Sequence, residues 1–174
     1  TLDGADAGEV EDETFCADAA FVTFTGVDVH PGFAKGKMHN AVRAAAALVE
    51  RLPADHLPET TEERQSYLHA YDMKGDVTKA EVKLLVRAFT IEELAEREDA
   101  LRAAVAEVGR LFPGVKATVE IRESYRNMGY KLAADPKVMD YAFEAVRRLG
   151  IEPKRKAIRG GTDGARLSYM GLLT

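Results

Sequence analysis

In the first third of the chain, the spacing of hydrophobic residues changes from every second position to every third or fourth position. Residues 15–27 alternate between two rows of side chains, which predicts a strand with Ala20, Val22 and Phe24 on one face. Residues 37–52 repeat apolar side chains every three or four positions, which predicts an amphipathic helix that ends at a proline.

A hairpin is predicted after a polar surface loop at residues 53–66. Residues 67–74 and 81–89 read as two strands that flank a turn at Gly75-Asp76. Each strand of this region is expected to offer an apolar row to a layer of helices. The period of two places four side chains of the first hairpin strand on one face, namely Tyr67, His69, Tyr71 and Met73.

A long helix and a fourth strand complete the pattern. Thr90 and Glu93 have the spacing of a capping box, and the helical rhythm continues to a Pro-Gly pair, with Glu98 as its one break. Residues 117–121 then alternate as a half-buried strand. The order β-α-β-β-α-β over residues 15–125 predicts an α+β, ferredoxin-like fold, in which a four-stranded antiparallel sheet carries two helices on one face.

The two ends of the chain differ from this module. Residues 1–13 carry six acids and no base, and we predict a solvated acidic loop there. The bases between residues 147 and 159 favour a solvated helix face over a nucleic-acid site, and pairing with the acidic start is a further alternative. A third helix is predicted at residues 136–149, with an apolar face of Val138, Tyr141, Ala142, Ala145, Val146 and Leu149.

Composition and charge narrow the class of protein. The chain has 174 residues, of which 46% are hydrophobic and 30% are charged, as in a soluble globular domain with a core. The net charge of −5 argues against a nucleic-acid partner. The sequence contains no apolar run of about 20 residues, so no membrane span is predicted. Cys16 has no partner for a disulfide, which favours a reducing compartment and a cytoplasmic location. Because the chain opens at Thr1 and closes on an apolar segment, we expect a piece of a longer protein.

Two segments carry candidate chemistry. His30 lies in a loop with a proline and two glycines, where an imidazole is either functional or simply solvent-facing. Gly160 and Gly161 let a ligand approach the backbone, and the adjacent Arg159 guanidinium can grip a carboxylate; the alternative is a tight turn beside a surface arginine. Arg87 and Asn127 are further candidates for the same ligand.

Several motifs together carry a resemblance to a known family. The chain resembles the tripeptide aminopeptidases of the dizinc aminoacylase and exopeptidase family over essentially its whole length. The motifs are Thr1-Leu2-Asp3-Gly4, Val29-His30-Pro31-Gly32 with Ala34-Lys35-Gly36, Met73-Lys74-Gly75, Ser124-Tyr125-Arg126-Asn127-Met128 and Ile158-Arg159-Gly160-Gly161-Thr162-Asp163-Gly164-Ala165.

The resemblance implies a lid, or dimerisation, domain set between two stretches of a catalytic domain. On this basis residues 1–14 and 128–174 are expected to belong to the catalytic domain, and residues 15–127 to the lid, which would form a homodimer. Asp3 matches a zinc ligand, and His30 matches the lid histidine that polarises the scissile carbonyl. The positions that match substrate-holding residues are Asn127, Arg159, Gly160, Gly161 and, less closely, Arg87.

The chain also departs from the family. The resemblance implies two zinc ions, together with an N-terminal His-x-Asp motif, a Glu-Glu pair and a late histidine. No His-x-Asp motif is present, and the family's Glu-Glu pair and late histidine have no counterpart in this chain. We therefore expect that this chain alone retains no zinc and cleaves no tripeptide. The alternative hypothesis is a free-standing ferredoxin-like module that binds a small ligand or a partner, because this fold hosts many functions.

Overall fold

The computed structural model describes residues 6–174, and the chain divides into two compact units. Unit 2 is the continuous segment Ala17–Ser124, and unit 1 combines the residues up to Cys16 with Tyr125–Thr174. The elements in chain order are β1 (Glu9–Glu13), β2 (Cys16–Thr25), α1 (Ala41–Glu50), β3 (Tyr67–Gly75), β4 (Lys79–Ala88), α2 (Ile91–Leu111), β5 (Lys116–Tyr125), α3 (Gly129–Leu132), α4 (Lys137–Arg148), β6 (Lys154–Ala157) and α5 (Asp163–Tyr169). Short 3-10 turns occur at Pro31–Phe33, Ala54–His56 and Pro58–Thr60.

Unit 2 has the predicted ferredoxin-like arrangement. Its four strands form one antiparallel sheet in the order β3-β4-β2-β5, so β2 and β4, the first and third strands of this unit, lie side by side at the centre. This order arises because each helix connects two strands that are not neighbours in the sheet. The predicted fold class is therefore confirmed.

The core of unit 2 lies between the sheet and its two helices. Alternate residues of β2 and β4 are fully buried, and the helices contribute Leu48 from α1 and Leu101 and Val108 from α2. The alternation that the sequence predicted for these two strands is confirmed. The buried strand rows are Ala20, Val22 and Phe24 in β2, and Val82, Leu84, Val86 and Ala88 in β4.

Polar caps set the start of each helix in unit 2. The Thr90 side chain accepts a hydrogen bond from the Glu93 N–H at 3.1 Å, as the capping-box spacing predicted. Helix α1 begins at Ala41 rather than at residue 37, because Asn40 is its N-cap and accepts from the Arg43 N–H. The residue before this cap, His39, instead forms a β-bridge with Val27.

Strand β3 corrects the prediction that Tyr67, His69, Tyr71 and Met73 share one face. Its antiparallel register with β4 shifts between Ala70 and Asp72, so that Met73 lies opposite the buried residue Val82. An extra residue in one strand reverses the faces of all positions that follow it. The buried residue of β3 is Leu68, outside the row that the period of two selected.

Unit 1 has a small core of its own. Met128, Leu132, Met139 and Ala165 are buried together, with Phe143 among the side chains packed against them.

The predicted apolar face of α4 is only partly right. Val138 packs against the core of unit 1, whereas Tyr141 and Leu149 are 72% and 76% exposed. The face is turned because Met139 and Phe143, which the periodicity left out, point inward instead. Among the described helices, none combines the length and apolar character that a bilayer span requires.

Within the acidic start, residues 9–13 form a strand rather than the solvated loop that their composition predicted. β1 pairs in parallel with β6, which places Glu9 opposite Lys154 and Glu11 opposite Lys156. The bases at 154–156 therefore lie on a strand rather than on a helix face. The alternative of electrostatic pairing with the acidic start is confirmed for Arg155, which contacts Asp12, and for Lys156, which contacts Glu9. Lys156 Nζ contacts the Glu9 carboxylate at 2.9 and 3.0 Å, and this hydrogen bond raises the pKa of Lys156.

Candidate functional site

His30 lies at the start of a tight turn in unit 2. Its imidazole is exposed, and its Nδ1 accepts a hydrogen bond from the Gly32 N–H at 3.1 Å, so the side chain caps the 3-10 turn Pro31–Phe33. The Phe33 ring lies 5.4 Å from the imidazole and is 73% exposed. The histidine is thus accessible to a ligand while its ring is held against its own backbone.

Asn127 is a structural hub of unit 1. It is only 3% exposed, and its Oδ1 accepts hydrogen bonds from the N–H groups of Thr14 (3.0 Å) and Gly129 (2.9 Å). Its Nδ2 donates to Glu13 Oε1 at 3.2 Å. Because the carboxamide is used within the fold, its buried side chain fixes the chain at both Thr14 and Gly129, and the role in holding a substrate stays a prediction.

Arg159 and Gly160 lie beside the same short segment that Asn127 holds. The Phe15 N–H donates to the Gly160 carbonyl at 3.1 Å, and the Arg159 guanidinium lies 5.3 Å from the centre of the Phe15 ring. A guanidinium over an aromatic face is attracted by the ring quadrupole, which restricts its orientation. The structure thus brings Arg159, Gly160 and Asn127 together around residues 13–16.

The two adjacent glycines have different surroundings. A Cβ at Gly161 would lie 2.4 Å from the Tyr125 ring, whereas one at Gly160 would meet only Ile158 Cγ2, at 3.6 Å. The predicted freedom of approach is therefore present at Gly160, while the space at Gly161 is taken by Tyr125. The contribution of either glycine to ligand binding stays a prediction.

Arg87 lies on β4 in unit 2 and bonds to backbone. Its Nη1 donates to the carbonyls of Asp18 (3.0 Å) and Val86 (2.9 Å), and the side chain is half-buried. Its predicted substrate contact stays untested.

The metal prediction rests on a residue outside the described part of the chain. Asp3 lies before residue 6, so the structure gives no account of it. Within residues 6–174, no cluster of three or more His, Cys, Asp or Glu side chains can hold a metal ion.

Sequence reasoning missed two groups of polar residues that the fold depends on. The Thr14 hydroxyl is fully buried and accepts from the Met128 N–H at 3.2 Å, but nothing in the local pattern marks Thr14. Asp18 is 2% exposed and is hydrogen-bonded to Glu98 of α2. Glu98 carried a signal, since it was the one break in the helical rhythm, but its partner could not be identified without the fold.

The outer face of the sheet in unit 2 bears on the alternative of a free-standing binding module. A hollow of about 190 Å³ lies there, lined in part by Phe21, Glu81 and Arg122. Arg122 bonds to Glu120 at 2.6 Å, and Glu81 bonds to Lys79 at 2.7 Å. These charges already have partners, so the hollow gives that alternative no specific support.

Three similar proteins of known sequence are all peptidase T. Peptidase T of Geobacillus kaustophilus is 40% identical over 174 residues, and that of Bacillus subtilis is equally similar over the same length. Peptidase T of Escherichia fergusonii is 42% identical over 173 residues. These alignments cover 99–100% of this chain, which spans about 42% of the length of each relative.

Solved structures of similar fold point the same way. The aminopeptidase PepT of Bacillus cereus superimposes with a TM-score of 0.80 at 19% identity, covering 98% of this chain and 45% of that one. A tripeptidase of Staphylococcus aureus gives a TM-score of 0.81 with the same identity and coverage. At this level of identity the likeness concerns the fold alone.

A family profile identifies the central module. The family described as the peptidase dimerisation domain matches residues 13–113, which is more than half of the chain and includes β2, both helices of unit 2 and the β3-β4 hairpin. The ferredoxin-like sheet, the coverage by peptidase T relatives and this match agree, and the chain therefore belongs to the peptidase dimerisation domain family.

Proposed function

We propose that this chain is part of a zinc-dependent aminopeptidase that removes the N-terminal residue of tripeptides. The observation that carries the proposal is the 40% identity to peptidase T over all 174 residues. In this proposal unit 2 is the lid and unit 1 belongs to the catalytic domain. The proposed domain limits, residues 15–127 for the lid, lie within three residues of the limits of unit 2.

His30 is the proposed catalytic residue of the lid. Its exposed imidazole would donate a hydrogen bond to the scissile carbonyl oxygen as negative charge develops there. A single such donor is worth roughly 3 kcal/mol of transition-state stabilisation. The tight turn supports this role, because a donor that is already oriented loses little entropy when the substrate arrives.

Arg159 and its neighbours would hold the peptide. The guanidinium is suited to a bidentate contact with a carboxylate, and its contact with the Phe15 ring restricts its orientation. The open backbone at Gly160 would let the peptide lie close to the chain. Asn127 would support the site indirectly, because its hydrogen bond to Thr14 fixes the segment that carries Phe15. The weaker proposal for Arg87 is a contact with substrate from the lid.

Two zinc ions would supply an activated water when bound. The described residues do not form a set of ligands for them, so in this proposal the metals are held by sequence beyond this chain together with Asp3. The roles proposed for residues 6–174 do not require these residues to bind the metals. This chain alone is expected to show no tripeptide hydrolysis.

Self-association is the second part of the proposal. Helix α1 lies against β3 and β4, and its outward side carries an apolar row of Val42, Ala46 and Val49. β3 is an edge strand, since β4 is its one neighbour in the sheet order. An exposed apolar helix row beside an open strand edge is a surface suited to a second copy of the same chain.

The proposed location is the cytoplasm. Cys16, the one cysteine of the sequence, is buried and forms no disulfide within the chain, which is typical of proteins in a reducing compartment.

The role of His30 can be tested by His30→Ala in the complete protein. We expect kcat for a tripeptide to fall by roughly 100-fold or more with a much smaller rise in KM, because a donor to the transition state is lost. His69→Ala, on β3 of the same unit, is the matched control and should leave kcat unchanged. An unchanged kcat in His30→Ala would remove the catalytic role.

A further inference from the structure

The turn at His30 distinguishes the two nitrogens of the imidazole. The Gly32 N–H donates to Nδ1 at 3.1 Å. A ring nitrogen that accepts such a bond uses its in-plane lone pair and carries no proton, so the proton of the neutral ring is on Nε2. Nε2 lies on the opposite side of the ring from the accepted bond, and the side chain is exposed.

Several contacts hold this arrangement in place. Pro31 restricts the backbone at the first position of the turn, and the Phe33 N–H donates to the His30 carbonyl at 2.9 Å. The Phe33 ring packs at a tilt of 42° against the imidazole. A Cβ at Gly32 would lie only 3.2 Å from Nδ1, so the absence of a side chain lets the ring approach the backbone closely.

We propose that Gly32 is a positioning residue, whose backbone N–H holds His30 as the Nε2–H tautomer and presents Nε2–H as the donor to the substrate carbonyl. The assignment of the donor rests on the function proposed above, whereas the tautomer and its cause do not. A neutral imidazole held in this way donates to a carbonyl oxygen without first having to gain a proton. Neutral histidine is an established kind of electrophile in enzymes.

The tautomer can be measured directly on this chain. Long-range ¹H–¹⁵N correlation spectra of the ¹⁵N-labelled protein, recorded at alkaline pH, distinguish protonated from unprotonated ring nitrogens. We expect the His30 signals of a nearly pure Nε2–H tautomer, together with a scalar coupling across the hydrogen bond from Gly32 N to Nδ1. An Nδ1–H tautomer, or an absent coupling with averaged ring shifts, would overturn the proposal.

Two substitutions of Gly32 separate the N–H from the rest of the residue. Gly32→Pro removes the donor, and we expect tautomer averaging at His30. Gly32→Ala keeps the donor and requires the ring to move by only a few tenths of an ångström, so the Nε2–H tautomer should persist. If Gly32→Pro keeps the wild-type tautomer and ring order, Gly32 does not position the ring. Should that variant fail to fold, the wild-type spectra still decide the question.

Kinetics of the complete protein then link the tautomer to the reaction. Gly32→Pro should lower kcat roughly tenfold with little change in KM, the scale expected when a partner that orients a histidine is lost, and Gly32→Ala should stay close to wild type. If His30→Ala leaves kcat unchanged while the spectra show the Nε2–H tautomer, the proposed function fails but the positioning stands. If His30→Ala is impaired and both Gly32 variants are equally active, the function stands and the positioning fails.

Discussion

Glu98 and Asp18 form an acid pair inside unit 2. The Glu98 side chain is 17% exposed, and burial followed by its hydrogen bond to Asp18 raises the pKa of Glu98. Arg102 Nη2 lies 2.8 Å from Glu98 and acts in the opposite direction, lowering the pKa of Glu98. Two neighbouring carboxyl groups are most stable when they share one proton, so the folded state binds a proton that the unfolded chain releases more easily.

This pair makes stability fall as the pH rises. Since the folded pKa of Glu98 is raised above its usual value of 4.5, its stabilising contribution is complete below 4.5 and is lost as the pH rises through the folded pKa. Glu98→Gln can still donate to Asp18 but cannot ionise, so this decline should disappear. Chemical denaturation at a series of pH values measures it, with the exposed Glu96→Gln as control. Parallel pH profiles for wild type and Glu98→Gln would contradict the prediction.

The glycine pair allows a second test with a control one residue away. Gly161→Ala should destabilise unit 1 by about 1–3 kcal/mol, because its Cβ would overlap the Tyr125 ring. Gly160→Ala, whose Cβ meets only one atom at 3.6 Å, should cost much less. Thermal unfolding of both variants compares the two positions. Equal stability would mean that Tyr125 moves aside without cost.

At the scale of single residues, the candidate segment can be predicted from the sequence but the surroundings of each residue cannot. The run Arg159-Gly160-Gly161 could be selected from the sequence because two adjacent glycines beside an arginine have a physical use. Which glycine is open and which supports Tyr125 could not, because the ring comes from a residue 36 positions earlier in the sequence. In the same way, the buried amide of Asn127 depends on Thr14, at a separation of 113 residues.

At the scale of elements, predictions succeeded where local signals agreed. Helix α2 was predicted closely because the Thr90 cap, the apolar rhythm and the Pro-Gly end all pointed to one helix. β1 and β6 were missed because most of their residues are charged and form no apolar row, and because their pairing partners are far apart in the sequence. The β3 face was wrong because a bulge leaves the residue types unchanged while it reverses their sides.

The pairing of β1 with β6 predicts a reciprocal charge effect. Lys156→Glu should speed amide hydrogen exchange in β6 a few-fold, because it replaces the attraction to Glu9 by repulsion. Adding Glu9→Lys should restore much of the protection, and both effects should shrink at high salt. Lys137→Glu, on α4 of the same unit, is the control for a change of net charge. If the double variant exchanges faster than Lys156→Glu, the contact does not hold the two strands together.

At the scale of the whole molecule, the proposed dimer surface can be tested by light scattering. We expect a dimer that Val49→Glu weakens at least roughly tenfold, because a carboxylate would be buried without a partner. Leu111→Glu replaces an exposed apolar residue at the end of α2 and should leave the dimer intact. A monomer at every concentration, or equal weakening by both variants, would contradict the α1 surface.

The discontinuity of unit 1 has a consequence for biosynthesis. β1 leaves the ribosome before its partner β6, which follows about 145 residues later, and at 5–20 residues per second this is a delay of roughly 7–30 s. Unit 2 is continuous and can fold within that interval. During that interval β1 lacks β6, and we expect its four acids out of five residues to disfavour pairing with strands of other chains. The same acidity that argued against a strand in the sequence is therefore expected to limit mispairing of β1 during synthesis.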